Sequence, residues 1–435
     1  MSARLAIVLM AAVVLCCHLL LMRLADAQRS VPLPREVADV YEPERYATYL
    51  AYMAAHRRLG LVRRLIGLAA LAVIVFTPTL AGIERLGAGN VYAITLLTFA
   101  LFWCIGTTVR VACSYYDTFR IEERFGLNRR DTREFVRDTL AAEGTSLLLS
   151  VAGCVVVVFL CEHLDGWTAG FSLHPLAMLG VCVLIACLLG ACALVAQLVG
   201  YVAFRRRYRF TPLPQGELRE SIERLQEGSK RKVRQIYVYN ESAKSTGKNA
   251  FLLRLPHRRE FGIADNFLDD NSERELLAVL SHEVGHLKHR KNHLDVTEWA
   301  LGLLVFLAVF LLFTHPAPVF AFCAWVNRSF GLSVNNYYLL VQTAVYLLMP
   351  LSFALRSFDL YRSRCNEYEA DREAVRAGYG RELVSTFKRM SSDELVDVNP
   401  HPVVEALEYT HPGMYHRIRA IEREMEEEAA AEAAS

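Results

Sequence analysis

An α-helical integral membrane protein with water-facing segments on one side is the fold class predicted by three features of the 435-residue sequence. Hydrophobic residues make up 53% of it and the mean hydropathy is positive, too apolar for an ordinary soluble enzyme. Seven apolar runs of about 18 to 25 residues, each able to cross roughly 30 Å of hydrocarbon, lie near 4–22, 65–83, 91–112, 145–163, 177–203, 296–313 and 337–355. Arg and Lys between these runs alternate from side to side.

The alternation sets an orientation. Connection 23–64 carries Arg23, Arg29, Arg35, Arg45, Arg57, Arg58, Arg63 and Arg64, and connection 113–144 carries Arg120, Arg124, Arg129, Arg130, Arg133 and Arg137; both read as cytoplasmic. The opposite connections are poor in cations: 84–90 has only Arg85, 164–176 has none and 314–336 has only Arg328. The amino terminus is therefore expected outside and the carboxyl terminus in the cytoplasm. Ala25-Asp26-Ala27 resembles a signal cleavage site, but cleavage would strand the Arg-rich 28–64 on the far side, so the first run is read as a retained membrane helix.

Four parts follow: five spans with cytoplasmic loops (1–203), a soluble insert (204–295), spans six and seven (296–355) and a carboxyl-terminal cytoplasmic segment (356–435). Within the insert, Leu218–Leu225 reads as helix, and Gln235–Tyr239 and Ala250–Leu255 read as strands. A stronger helix follows, announced by Ser272 and Glu275 in capping-box spacing and continued by Leu276, Leu277, Val279 and Leu280. After the last span a further helix is expected through Glu367, Asp371 and Val375 up to Gly378, and the acidic tail Glu422–Ser435 reads as a frayed solvated helix. Nine of the eleven cysteines lie in or at the end of apolar runs and no CxxC pair occurs, so no disulfide framework is implied; Cys323 is expected on the far side outside a helix. The net charge of +2 gives no reason to expect nucleic acid as a partner.

The chemistry concentrates at His282-Glu283-Val284-Gly285-His286, an HExxH sequence. On a helix its two histidines share a face one turn apart, so one divalent ion can bridge them. Zinc suits imidazole ligands, and three protein ligands leave one position open for water; Glu283, beside the ligands, can accept that water's proton. A third histidine six residues beyond His286 would define one class of metallopeptidase, but that position is Asn292; His289 and His293 read as interfacial residues among Lys288, Arg290 and Lys291. A later carboxylate remains. Glu367 and Asp371 in Asn366-Glu367-Tyr368-Glu369-Ala370-Asp371 are one helical turn apart, so Glu367 could bind the ion while Asp371 accepts a ligand's ring N–H. Local sequence equally allows these acids to pair with Arg364 or Arg372 on a solvated face.

At this point the residues resemble the type I CAAX prenyl protease family of integral-membrane zinc endopeptidases. The likeness runs through Tyr115-Tyr116-Asp117-Thr118-Phe119, Ile121-Glu122-Glu123, Phe125-Gly126-Leu127-Asn128, Phe210-Thr211-Pro212-Leu213-Pro214 and Lys248-Asn249-Ala250. It continues in Leu277–His286, Ser363-Arg364 before EYEAD, and His411-Pro412 with Arg417. It implies seven helices around a water-filled chamber, closed on the cytoplasmic side by a gluzincin-like zinc metallopeptidase domain. It also implies one zinc per chain with Glu367 as third ligand, a peptide substrate lying on an edge strand at Asn249-Ala250, and His411 near the metal, stabilising the tetrahedral oxyanion. Peptides or proteins, prenylated or otherwise membrane-associated, are the implied substrates. Arg254 and His257-Arg258-Arg259 are unusually basic for the eukaryotic pattern, and Glu-Ala-Ala-Ser at the end is no familiar retrieval signal. A bacterial inner membrane is accordingly expected, with the endoplasmic reticulum as the alternative; without protein prenylation the enzyme would act in membrane-protein quality control. A transporter or an inactive scaffold would account for the spans, including Gln197 and Gln342, but not for HExxH on a capped helix with every expected base and ligand present. An intramembrane site-2 enzyme would carry the motif within a span and an Asp-Gly partner after it, whereas the only Leu-Asp-Gly, at 164–166, precedes it.

Overall fold

The computed structural model describes residues 1–163, 183, 187, 194–195, 197–227, 232–233, 235–255, 258–288 and 317–434. Among these, four helical stretches are long and apolar enough to cross a membrane: Ala3–Arg29 (α1), Pro43–Phe76 (α2), Val91–Glu122, and Thr132–Phe159. The third comprises helix α4 (Val91–Tyr116) and a π-helical turn over Asp117–Glu122, and the fourth belongs to α5 (Thr132–Glu162). A fifth is obtained if α10 (Tyr337–Leu347) and α11 (Met349–Arg376), bent by 59°, count as one span. Expected spans 177–203 and 296–313 lie largely or wholly outside the described residues, as do connection 164–176, Cys182, Cys192, His257, His289, Asn292 and His293. Exposed apolar side chains on these helices, such as Leu148 and Val156, suit contact with lipid.

Several expected boundaries change for identifiable reasons. The run 65–83 is not one helix. Thr77 adopts an extended backbone (ψ 168°) before Pro78, as the residue preceding proline is pushed to do, and the short helix α3 (Thr79–Leu86) restarts beyond it. At its other end α2 continues back through the arginines to Pro43. Connection 314–336 contains a helix, α9 (Ala317–Phe330), which buries Val326 and Phe330; Cys323 therefore lies on a helix. The helix bearing Glu367 does not start after the last span but is the same 28-residue rod, α11, with Pro350 in its first turn.

The water-facing part is built on a four-stranded sheet of order β1-β2-β4-β3. Strand β1 (Phe210–Pro212) pairs antiparallel with β2 (Gln235–Tyr239), β2 runs parallel to β4 (Arg258–Ala264), and β4 pairs antiparallel with β3 (Ala250–Leu255) from Ala250↔Ile263 to Leu255↔Arg258. Strands β2 and β3 were legible from their apolar patterns. β4 was not, because charged residues and Gly262 interrupt it; a side chain at Gly262 would collide with the Phe251 ring packed on it. In this order β3 is an edge strand, paired on one side only among the described residues.

Helix α6 (Glu217–Leu225) and the short α7 (Asp265–Asp269) flank the sheet, and α8 (Glu273–Lys288) carries HExxH. Its cap forms as expected: Glu275 Oε2 accepts from Ser272 N at 2.9 Å, and Glu275 N donates to Ser272 Oγ at 3.4 Å. One core joins this helix to the sheet through Leu276, Leu280 and Val284, with Phe261, Ile263 and Phe267 opposite. It extends to α11, to α12 (Gly380–Asp393) and to the closing helix α14 (Met414–Ala434) through Ala374, Leu383 and Ile421. A separate core couples the membrane helices to this part: Tyr41 and Tyr49 pack with Leu395, Val398 and Ile418.

The tightest contact between α8 and α11 is at Gly285, where a Cβ would lie 2.7 Å from Ala370 Cα. Alanine would gain roughly 1 kcal/mol in helix propensity. Overpacking against a backbone that cannot swing away costs about 1–3 kcal/mol, so separation of the helices dominates. Gly285→Ala is expected to lower the melting temperature of the purified protein, and an unchanged transition would show that the two helices need not approach so closely.

Candidate metal centre

His282 and His286 project from one face of α8, with ring centroids 4.7 Å apart. Glu367, delivered by α11, places its carboxylate between them: Oε2 is 3.4 Å from His282 Nε2 and Oε1 is 3.3 Å from His286 Nε2. All three ligand-type atoms lie within 4.8 Å of one another. Separations near 3.3 Å are those of atoms arranged around a shared cation with bonds of about 2.0–2.2 Å. The buried Oε2 of Glu367 has no hydrogen-bond partner among the described residues, an arrangement that costs free energy unless a cation satisfies it. Two imidazoles and one carboxylate form a borderline-soft donor set that fits zinc.

Behind these three groups lies a buried polar layer. His282 Nδ1 is 2.9 Å from Asp371 Oδ1, one helical turn beyond Glu367. This pairing orients the ring and leaves Nε2 directed at Glu367. Arg417, from α14, donates to both Asp371 oxygens, Nη2 to Oδ1 at 2.6 Å and Nε to Oδ2 at 2.9 Å, and its Nη2 lies 3.5 Å from Glu367 Oε2. The Phe387 ring of α12 lies 4.2 Å beneath the guanidinium. Asp371 and Arg417 are both buried, so each supplies the counter-charge without which the other would be costly. Burial alone would depress the His282 pKa, but the Asp371 and Glu367 carboxylates beside it prevail and push it up to about 9.

Glu283 is half-buried beside the histidines, and its carboxylate has no hydrogen-bond partner among the described residues. His411 lies on the open side: Nε2 is 3.6 Å from Glu367 Oε1, Nδ1 is 2.9 Å from Thr410 Oγ1, and 61% of the side chain is exposed. Surrounding protein lowers its pKa by desolvation, and Arg417 adds to that effect. The other nearby histidines are engaged elsewhere. His401 Nδ1 caps the helix Pro402–Glu408 (α13), and His416 Nδ1 meets Glu405 Oε2 at 2.8 Å. Asn249, just before β3, is exposed with no side-chain hydrogen bond among the described residues, while Ala250 is buried in the edge strand.

The solvated-face alternative for the acids is set aside. Arg364 turns away and donates to the carbonyls of Glu405, Ala406 and Tyr409, and Arg372 reaches Glu424 at 3.9 Å. Sequence reasoning attached no role to Arg417 or Phe387, since nothing local marks an arginine 46 residues after Asp371 as its partner. Arg417→Met would leave Asp371 buried without its counter-charge. It is expected to weaken metal retention about ten- to a hundred-fold, as loss of an orienting group typically does. Competition with a chelator measures this, and wild-type retention would remove Arg417 from the centre.

The chain as a whole is similar to known membrane proteases. A family model described as Peptidase family M48 matches residues 212–425, and one described as CAAX prenyl protease N-terminal, five membrane helices, matches 22–194. The "CAAX prenyl protease 1 homolog" of Arabidopsis thaliana is 26% identical over 425 residues, spanning 93% of this chain and 93% of that protein. "CAAX prenyl protease 1" of Saccharomyces cerevisiae is 26% identical over 345 residues, spanning 75% and 72%. The crystal structure of S. mikatae Ste24p has the same fold, with a TM-score of 0.77 over 97% of this chain and 99% of that one at 22% identity. With one model matching residues 22–194 and the other the HExxH and EYEAD helices, the chain belongs to peptidase family M48, in its type I CAAX prenyl protease branch, and is a membrane-embedded metalloendopeptidase.

Proposed function

We propose that this protein is a zinc endopeptidase that hydrolyses peptide bonds of membrane-associated or C-terminally prenylated proteins. His282, His286 and Glu367 are the metal ligands in this reading, Glu283 is the general base and Asp371 the group that orients His282. The observation that carries it is the Glu367 carboxylate, held between two imidazole nitrogens at 3.4 and 3.3 Å with a buried oxygen left unbonded. The prenylated substrate rests on likeness to proteins named CAAX prenyl proteases, which extends over most of the chain.

Zinc at these ligands supplies Lewis acidity, acidifying water and polarising the scissile carbonyl. Glu283 takes the proton from the attacking water and returns it to the leaving amine. His411, open to the cleft, donates from Nε2 toward the developing oxyanion. The substrate backbone adds to the free side of β3, where main-chain hydrogen bonds hold it with little regard to sequence, and Asn249 orients it as it leaves the strand. Glu367 lies in the half of α11 remote from its apolar first turns, which supports a site outside the hydrocarbon, where hydrolysis has water. Both water-facing segments lie on the Arg-rich side, read as cytoplasmic in a bacterial inner membrane or an endoplasmic reticulum membrane.

Glu283→Gln is expected to keep zinc and lose hydrolysis of a farnesylated fluorogenic peptide, because an amide cannot accept the proton. His411→Ala should keep zinc and slow single turnover by roughly two to three orders of magnitude. Wild-type rates in either variant would place that role elsewhere. Orientation is checked separately on a Cys-less background: an introduced Glu220→Cys should resist impermeant thiol reagent in sealed cells, and labelling from outside would reverse the topology.

A further inference from the structure

The turn that ends α12 connects the membrane helices to the edge strand. Ser391 O accepts from Val396 N at 2.9 Å, a bond across six residues that closes a helix C-terminus, and Leu395 there takes a left-handed backbone (φ 55°) usually left to glycine. Leu395 can hold it because its side chain is buried against Tyr41 and Tyr49. The same turn is held from the membrane side. Tyr41 Oη donates to the carbonyls of Ser391 and Val396 at 2.8 and 2.6 Å, Arg45 donates to those of Ser392 and Asp393 at 3.0 and 2.7 Å, and Arg29 pairs with Asp397 at 3.2 Å.

From this fixed turn Glu394 reaches across to the chain just before β3, where its Oε1 accepts from the backbone N–H of Lys248 at 2.9 Å. Asp393 Oδ2 meets Lys248 Nζ at 3.1 Å. Asn249 O accepts from Ala264 N at 2.9 Å, so the entrance to the edge strand is pinned from two directions, by the sheet and by the turn. Among the described residues no strand lies on the side of β3 that faces away from β4.

We infer that Glu394 is a positioning residue for peptide binding, fixing the start of the β3 edge through the Lys248 N–H so that an added substrate strand meets the metal centre in one register. The inference rests on the endopeptidase reading and on the edge strand as its peptide site. Glu394 touches neither the metal ligands nor the reacting atoms; it acts through the strand. Its loss should therefore weaken binding of ground and transition states alike, raising KM while leaving kcat largely intact.

The test measures zinc content, kcat and KM for a farnesylated fluorogenic peptide, together with backbone amide exchange over 247–255, in the full-length detergent-solubilised enzyme. Glu394→Ala is expected to raise KM about ten-fold, the scale for losing a hydrogen bond to a charged group, with kcat within two-fold, full zinc and faster exchange confined to that segment. Glu394→Asp, which keeps the charge but is one carbon too short, should behave in the same way if the alanine protein proves unstable. Glu394→Gln, whose amide oxygen can still accept, should restore a KM near that of the wild type. A wild-type KM in both the alanine and aspartate proteins, or a fall in kcat with KM unchanged, would overturn the inference. Absence of peptide hydrolysis by the zinc-loaded wild type would instead refute the endopeptidase reading itself.

Discussion

Most of this structure is arranged around the close approach of the helix Glu273–Lys288 to the rod Met349–Arg376 at Gly285 and Ala370. Two histidines one turn apart define a direction but only half of a tetrahedral site. Closing it requires a carboxylate from another element within a few tenths of an ångström, and a helix pair in backbone contact is stiff enough to supply that precision. Glu367 lies one turn from Ala370, close to the contact, whereas a carboxylate on a loop would have to be ordered at each binding event.

The rod also determines where the chemistry takes place. Because Met349–Arg376 is one uninterrupted helix and forms the second half of the bent membrane pair, its apolar first turns and Glu367 belong to one body. The buried Asp371–Arg417 pair ties that body to the closing helix, and the Tyr41, Tyr49 and Leu395 core ties it to the amino-terminal helices. A salt bridge buried so deeply is poor evidence for net stability, since hydrophobic replacements can do as well. Its value here is directional: Asp371 can orient His282 only while Arg417 holds it charged and still.

Much of this was legible in the sequence, for physical reasons that differ by element. The capping box, the apolar strands Gln235–Tyr239 and Ala250–Leu255, and the spacing of His282, His286, Glu367 and Asp371 are local patterns, and the structure brings these four side chains together. What escaped was non-local or chemically ambiguous. Strand Arg258–Ala264 is too charged at its start to read as sheet, yet it sits between two neighbours that supply its hydrogen bonds. The break at Thr77-Pro78 was hidden inside an apolar run, because hydropathy ignores the missing proline N–H. Arg417 was visible only as a family residue; its partners Asp371 and Phe387 come from two other helices, and no periodicity links the three.

The central claim is that one metal ion is held by two imidazoles and one carboxylate at the meeting of these two helices. X-ray absorption at the zinc edge of the purified protein tests it most directly, because the spectrum reports the ligand atoms without reference to activity. The expected result is one zinc per chain with nitrogen and oxygen neighbours at about 2.0–2.2 Å and the multiple-scattering signature of two imidazoles. A sulfur shell near ~2.3 Å, or zinc bound with the same spectrum after Glu367→Ala, would contradict the account.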